Sequence, residues 1–204
     1  MKQHHTSTNN FNSFPKRLLL ALAVIVIGLQ GLKAQTVVTA NNPFYDDFET
    51  DNGWTLVNGT LTNKWARGTA ANNGGSNGMY ITNGSTNATY GANNYTTNSN
   101  AMVYVYKTFT LATGTYIFSY DWRANGESTY DYLRVALVPS GTTLTAATSV
   151  PTGFSNTALP TGWIAIDGGS QLQGSTSWAT NNVEITMNST GDYMLVFAWR
   201  NDNS

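Results

Sequence analysis

Apolar and polar residues alternate along most of the chain after position 43, and no long stretch shows the three-and-four spacing of a helix. Val103, Val105, Phe109 and Leu111 oppose Met102, Tyr104, Tyr106 and Thr108. Tyr116, Phe118, Tyr120 and Trp122 oppose Ile117, Ser119, Asp121 and Arg123. The same period appears in Leu133, Val135 and Leu137, in Val183, Ile185 and Met187, and in Tyr193, Leu195, Phe197 and Trp199. Phe44 and Phe48 alternate with Tyr45, Asp47, Glu49 and Asp51. Each run predicts a strand with one face toward a core.

Turn chemistry separates the runs. Asn-Gly pairs begin at positions 52, 58, 73, 77, 83 and 125, and this dipeptide suits the positive φ of tight turns. Ala112-Thr113-Gly114 predicts a hairpin between the strands around it, and 125–129 a longer connection. The stretch 68–100 is mostly Gly, Asn, Thr and Ser, which predicts long loops around one strand at Met79-Tyr80-Ile81. Pro139, Pro151 and Pro160 mark a second loop region over 139–160. Many short strands with such turns predict an all-β fold, a two-sheet antiparallel β-sandwich of jelly-roll type.

Two stretches carry a resemblance. Asp46-Asp47-Phe48-Glu49-Thr50-Asp51-Asn52-Gly53-Trp54 resembles the F-E…G-W opening of jelly-roll modules in secreted Bacteroidetes proteins, the cleaved-adhesin and choice-of-anchor modules related to MAM-like domains. Tyr120 to Glu127, followed by Asp131-Tyr132-Leu133-Arg134-Val135, looks like their central D-W-x-x-x-G-E…D-Y-L-x-V strand pair. Gly162-Trp163 and the strand 191–200 also fall where that family has them, so the likeness spans roughly 44–200. It implies a module for adhesion, or for binding carbohydrate or protein, beside other domains of a surface or secreted protein. Some relatives bind calcium. The family pattern continues with a closing strand carrying Asp-Asn-Ile or Asp-Asp-Ile, so the expected sandwich over 44–204 is truncated before its last strand.

Composition narrows the chemistry. Charged residues make up only 10% of the chain, far below the roughly 25% of ordinary soluble domains. Lys16-Arg17, the apolar run 18–29 and Leu32-Lys33-Ala34 read as a secretory signal peptide over 1–34, with 35–43 as a linker. Export to the cell surface or medium is expected, without a membrane span after cleavage. Both histidines, His4 and His5, leave with the leader, and cysteine is absent throughout. A Cys or His nucleophile, a Ser-His-Asp triad and the usual zinc sites are thereby excluded from the mature domain. Six scattered basic residues (Lys64, Arg67, Lys107, Arg123, Arg134 and Arg200) against eleven acidic ones make nucleic acid an unsuitable partner. An extracellular glycan, a protein or a cation fits better.

Three constellations remain. Asp46, Asp47, Glu49 and Asp51 cluster, and alternation puts Asp47, Glu49 and Asp51 on one strand face, a set of oxygens suited to Ca²⁺ or to a solvated strand end. Asp121, Glu127 and Asp131 flank one connection; carboxylates such as Asp121 and Glu127 could act as a glycosidase pair, or Asp121 or Asp131 could pair with Arg123 or Arg134 with Glu127 as a turn residue. Six tryptophans and eleven tyrosines supply stacking surface. Trp122 and Trp199 fall on core faces, which leaves the loop residues Tyr90, Tyr95 and Tyr130 as candidate ligand contacts. The first reading is a non-catalytic adhesion or ligand-binding module, calcium-assisted. A secreted sandwich-fold glycoside hydrolase and a structural spacer are the alternatives.

Overall fold

The computed structural model describes residues 36–39, 42–84 and 95–203. The expected leader and Tyr90 lie outside these residues. Among the described residues ten strands form: β1 Thr36–Val38, β2 Thr55–Val57, β3 Lys64–Gly68, β4 Gly78–Thr82, β5 Ala101–Leu111, β6 Gly114–Ala124, β7 Tyr132–Pro139, β8 Ile164–Ala165, β9 Ser175–Met187 and β10 Gly191–Asn201. Among the described residues no helix is long and apolar enough to cross a membrane.

The main sheet has the order β1-β5-β10-β7-β8, with β2 also on the outer edge of β5. Its centre is antiparallel: β10 pairs along its whole length with β5 (Asn201 opposite Ala101, Gly191 opposite Leu111) and with β7. Two further pairs, β6-β9 and β3-β4, lie apart from it. The inner face of the main sheet packs on the β6-β9 pair. Val103, Val105, Val135, Leu137 and Trp199 meet Tyr116, Phe118, Tyr120, Trp122, Val183 and Ile185 there. The all-β sandwich expected from alternation is therefore the fold.

Both faces of the main sheet are apolar. Opposite the inner core, Met102, Tyr104, Ala136, Val138, Met194, Val196 and Ala198 form a second buried cluster. The proline-bearing segment 140–163 covers it with Leu144, Val150, Phe154, Leu159 and Trp163. Phe154 stacks on Tyr132 with ring centroids 6.2 Å apart and meets Trp163 edge-on at 6.3 Å. One charged pair locks this cover. Arg134, 1% exposed, donates from Nε to Asp167 Oδ2 at 2.5 Å, and from its NH1 nitrogen to the carbonyls of Ser155 (2.6 Å) and Ala158 (3.0 Å). Asp167 also accepts from the backbone of Val135 and Gly169. All three guanidinium nitrogens and both carboxylate oxygens of the pair are engaged, which is what makes a buried ion pair tolerable.

Several expectations change. Residues 44–51 form no strand. Ala112-Thr113-Gly114 is no hairpin either: β5 stays in the main sheet while β6 pairs with β9, so the turn carries the chain from one layer to the other. The aromatic faces of both strands then meet across the core rather than edge to edge. The expected linker contributes β1, parallel to β5 with Thr36 opposite Phe109. Arg134 pairs with Asp167, not with Asp121 or Asp131. Asp131 is buried and accepts instead from Tyr95 Oη at 2.5 Å and from the amides of Glu127 and Asp202.

Removing the Arg134 cation should leave the Asp167 carboxylate buried and unpaired. Arg134→Met is therefore expected to cost about 3–5 kcal/mol in a urea titration, and adding Asp167→Asn should restore part of it. A midpoint unchanged by Arg134→Met would show that the pair does not hold the outer cover.

Candidate ligand-binding cleft

The second layer does not cover the whole inner face. Between β6 and the β3-β4 pair a cleft of about 1250 Å³ opens over the main sheet. One wall is β6, whose residues from Thr115 to Ala124 all border it, and the other is β4 from Gly78 to Ile81. Val105, Phe109, Leu195, Phe197 and Trp199 form the floor, and the segments 43–49 and 71–75 close over one side. Five of the six tryptophans (Trp54, Trp65, Trp122, Trp178 and Trp199) line it. A run of ring contacts crosses the site: Phe48 on Trp54 (5.5 Å), Trp54 on Phe197 (5.8 Å), and Phe197 edge-on to Tyr120 (5.5 Å).

Asp46 organises the rim. Its Oδ1 accepts from the amide of Phe48 (2.8 Å) and from Asn52 Nδ2 (2.9 Å), and its Oδ2 accepts from the indole N–H of Trp54 (2.7 Å). These bonds hold Phe48 at φ 62, a left-handed backbone unusual for an aromatic residue. That bend is why the apolar-polar alternation over 44–51 produces no strand. Asp47 and Asp51 each accept from the amide two residues on.

Glu49 reaches across to the loop before β4. Its carboxylate accepts from the amides of Ser76 (2.6 Å) and Asn77 (2.8 Å) and from Asn77 Nδ2 (3.1 Å). The two backbone N–H donors are the main cause that holds its pKa below the ordinary carboxylate value. Gly75 permits the approach, because a Cβ there would collide with Glu49 Oε1. Arg67 of β3 donates to the carbonyls of Phe48 and Glu49 and ties the same loop from beneath. The loss of the strand thus separates Asp47, Glu49 and Asp51, which share no face and answer to three different sets of N–H donors. Among the described residues no three acidic side chains gather where one metal ion could sit.

No protein-family model matches the sequence, and no curated protein matches it. Among solved structures, TmCBM61 in complex with β-1,4-galactotriose is similar at 9% identity and a TM-score of 0.39, over 78% of this chain and 91% of its own. What the cleft can bind is read from this chain's own side chains.

Tyr95 and Tyr130 do not share a site. Tyr95 borders the cleft, its ring edge-on to Trp199 at 5.4 Å and its hydroxyl held by Asp131. Burial, reinforced by that carboxylate, pushes its pKa well up, so it acts as a neutral hydroxyl. Tyr130 is 51% exposed and borders a separate, shallow depression of about 340 Å³ with Phe154 and Arg200, on the side of the outer cover. The Asp121–Glu127 pair is not assembled across the cleft. Asp121 borders it but accepts from Asn73 Nδ2 (2.7 Å) and Thr180 Oγ1 (2.5 Å). Glu127 lies in the turn after β6, where its carbonyl accepts from the amides of Tyr130 and Asp131.

Alternation correctly put Phe118, Tyr120 and Trp122 on the inner face but gave no sign that this face is partly open. The residues it missed, Asn73 and Asn77, sit in an Asn/Gly-rich loop that carries no periodic signal.

Two measurements check the rim. Because Glu49 has a depressed pKa in the fold, its contribution is present above the ordinary carboxylate range and lost as pH falls through the folded value. Glu49→Gln should therefore flatten the acid limb of stability against pH; identical pH profiles for the two proteins would show that the clasp contributes nothing. Calcium at Asp47, Glu49 and Asp51 would have to gather carboxylates that the fold holds on separate donors, so melting curves with and without EDTA should coincide. A lower melting temperature in EDTA would assign a cation to this loop.

Proposed function

We propose that this chain is a non-catalytic binding module of an exported protein and that it takes an extended ligand in the aromatic cleft. The observation that carries the reading is the concentration of aromatic rings there. Half-buried Trp54, Trp122 and Trp178 border one open space together with Phe48, Tyr95 and Tyr120, and the buried Trp65 and Trp199 back it. Binding sites of this kind are concave and mostly apolar, with few placed polar groups. Here the polar groups are Asn72, Asn73, Asn77 and Asp121 on the rim. The signal-peptide pattern supports export, and the adhesin-like motifs support a role in adhesion.

The carboxylates support binding rather than catalysis. Asp46, Glu49 and Asp121 each carry two or more donor contacts from the protein itself, which engages them in holding the rim. Side-chain amides beside half-buried ring faces are compatible with either a glycan or a peptide, since both offer hydrogen-bonding groups to the first and apolar faces to the second.

Intrinsic fluorescence provides the test, because nearly all of the tryptophan reports on the cleft. Neutral oligosaccharides and extended peptides are titrated in turn. A saturable shift of the emission maximum is expected with at least one class, and Trp122→Ala should weaken it about tenfold or more, as the loss of a central aromatic contact does. Emission that no ligand of either class changes would remove the cleft from the functional site and favour a spacer.

A further inference from the structure

We infer that the occupant of the cleft is a polypeptide in β-strand conformation, apolar at alternate positions and basic at the intervening ones. This rests on the binding role proposed for the cleft and names the class of ligand.

The first support is backbone chemistry. β6 pairs with β9 on one side, β4 pairs with β3 on one side, and among the described residues no strand pairs with the other edge of either. The cleft lies along those open edges: consecutive residues of β6 and β4 border it, while β9 contributes only Thr176 and Trp178, and β3 only Trp65. Two rows of N–H and C=O groups therefore flank one apolar floor. An open edge of this kind is a template for a further strand, and an added strand satisfies it while its alternate side chains enter the pockets beneath. A sugar presents no such regular ladder.

A second support is an orphaned donor. Trp199 is buried on the cleft floor, yet its indole N–H has no acceptor among the described residues. Buried N–H groups nearly always have a partner, and the carbonyl of an inserted strand is an acceptor of the right kind.

Charge selects the sequence of the strand. The cleft is bordered by the carboxylates of Asp46, Asp47, Glu49 and Asp121 against the single guanidinium of Arg123. Side chains that point from an inserted strand toward this rim are best cationic. The inward ones are best Val, Ile or Phe, facing Phe197, Tyr120 and Trp54.

The experiment uses the intact protein and a synthetic peptide of about eight residues, a common strand length, alternating Ile with Lys. Tryptophan emission and isothermal titration are followed together. Saturable binding is expected, weakening as salt is raised. A peptide of the same composition with the alternation scrambled should bind about tenfold more weakly or worse, and so should one N-methylated at alternate residues, which loses the donors of one edge. Equal affinity of the N-methylated peptide would overturn strand pairing. A neutral oligosaccharide that shifts the emission while the peptide does not would overturn this inference and leave the binding role standing. Silence from both would overturn both.

Discussion

A β-sheet that is apolar on both faces must be covered twice, and that requirement shapes this molecule. The strands β5, β7 and β10 carry large apolar residues at nearly every position, so burial on one side alone would leave Met102, Tyr104, Val138 and Val196 in water. Covering the inner side needs a second layer of strands. The outer side is covered by irregular chain, which cannot satisfy its own carbonyls by sheet pairing. The Arg134 guanidinium does this for Ser155 and Ala158, and Asp167 neutralises it beneath the cover. A charged pair at this place is thus a fastening for a loop, and its cost of desolvation is offset by four separate hydrogen-bonded groups rather than by attraction alone.

The strands were legible where alternation was pronounced. β5, β6, β7 and β10 appear where the period of two put them, because inward-facing residues are aromatic or branched and their neighbours differ. Less was visible for β9, whose first half reads Ser-Thr-Ser-Trp-Ala-Thr-Asn-Asn and has no apolar period. It forms because β6 offers a long edge to pair with, from Gly114 opposite Met187 to Ala124 opposite Ser175. Very short strands such as β1, β2 and β8 carry too few residues for any period and exist only as additions to existing edges. The segment 44–51 shows the opposite error: a good alternation is overridden by one aspartate that collects three donors and bends the chain.

For the cleft, sequence supplied the materials without the arrangement. Aromatic counts and acidic clusters are visible in one dimension, but whether Trp122 is sealed in or borders open space depends on how many strands the second layer has. Likewise Glu49 and Asp47 are neighbours in sequence and yet serve different partners, since positive φ at Phe48 turns one toward the β3-β4 pair and leaves the other in the turn. Tyr95 and Tyr130, both loop tyrosines by sequence, end on separate surfaces because Asp131 draws the first inward.

The position of β10 has a consequence for how the molecule forms. It lies between β5 and β7, so the main sheet stays in two parts until residues 191–201 arrive, although most of its other strands are made much earlier. The buried contact between Asn63 and Asn201 joins positions 138 apart, and the β5-β10 register joins residues up to 100 apart. Few of the stabilising contacts are local, and chain-closure entropy must be overcome before any are gained. A topology built on such distant pairings is expected to fold slowly.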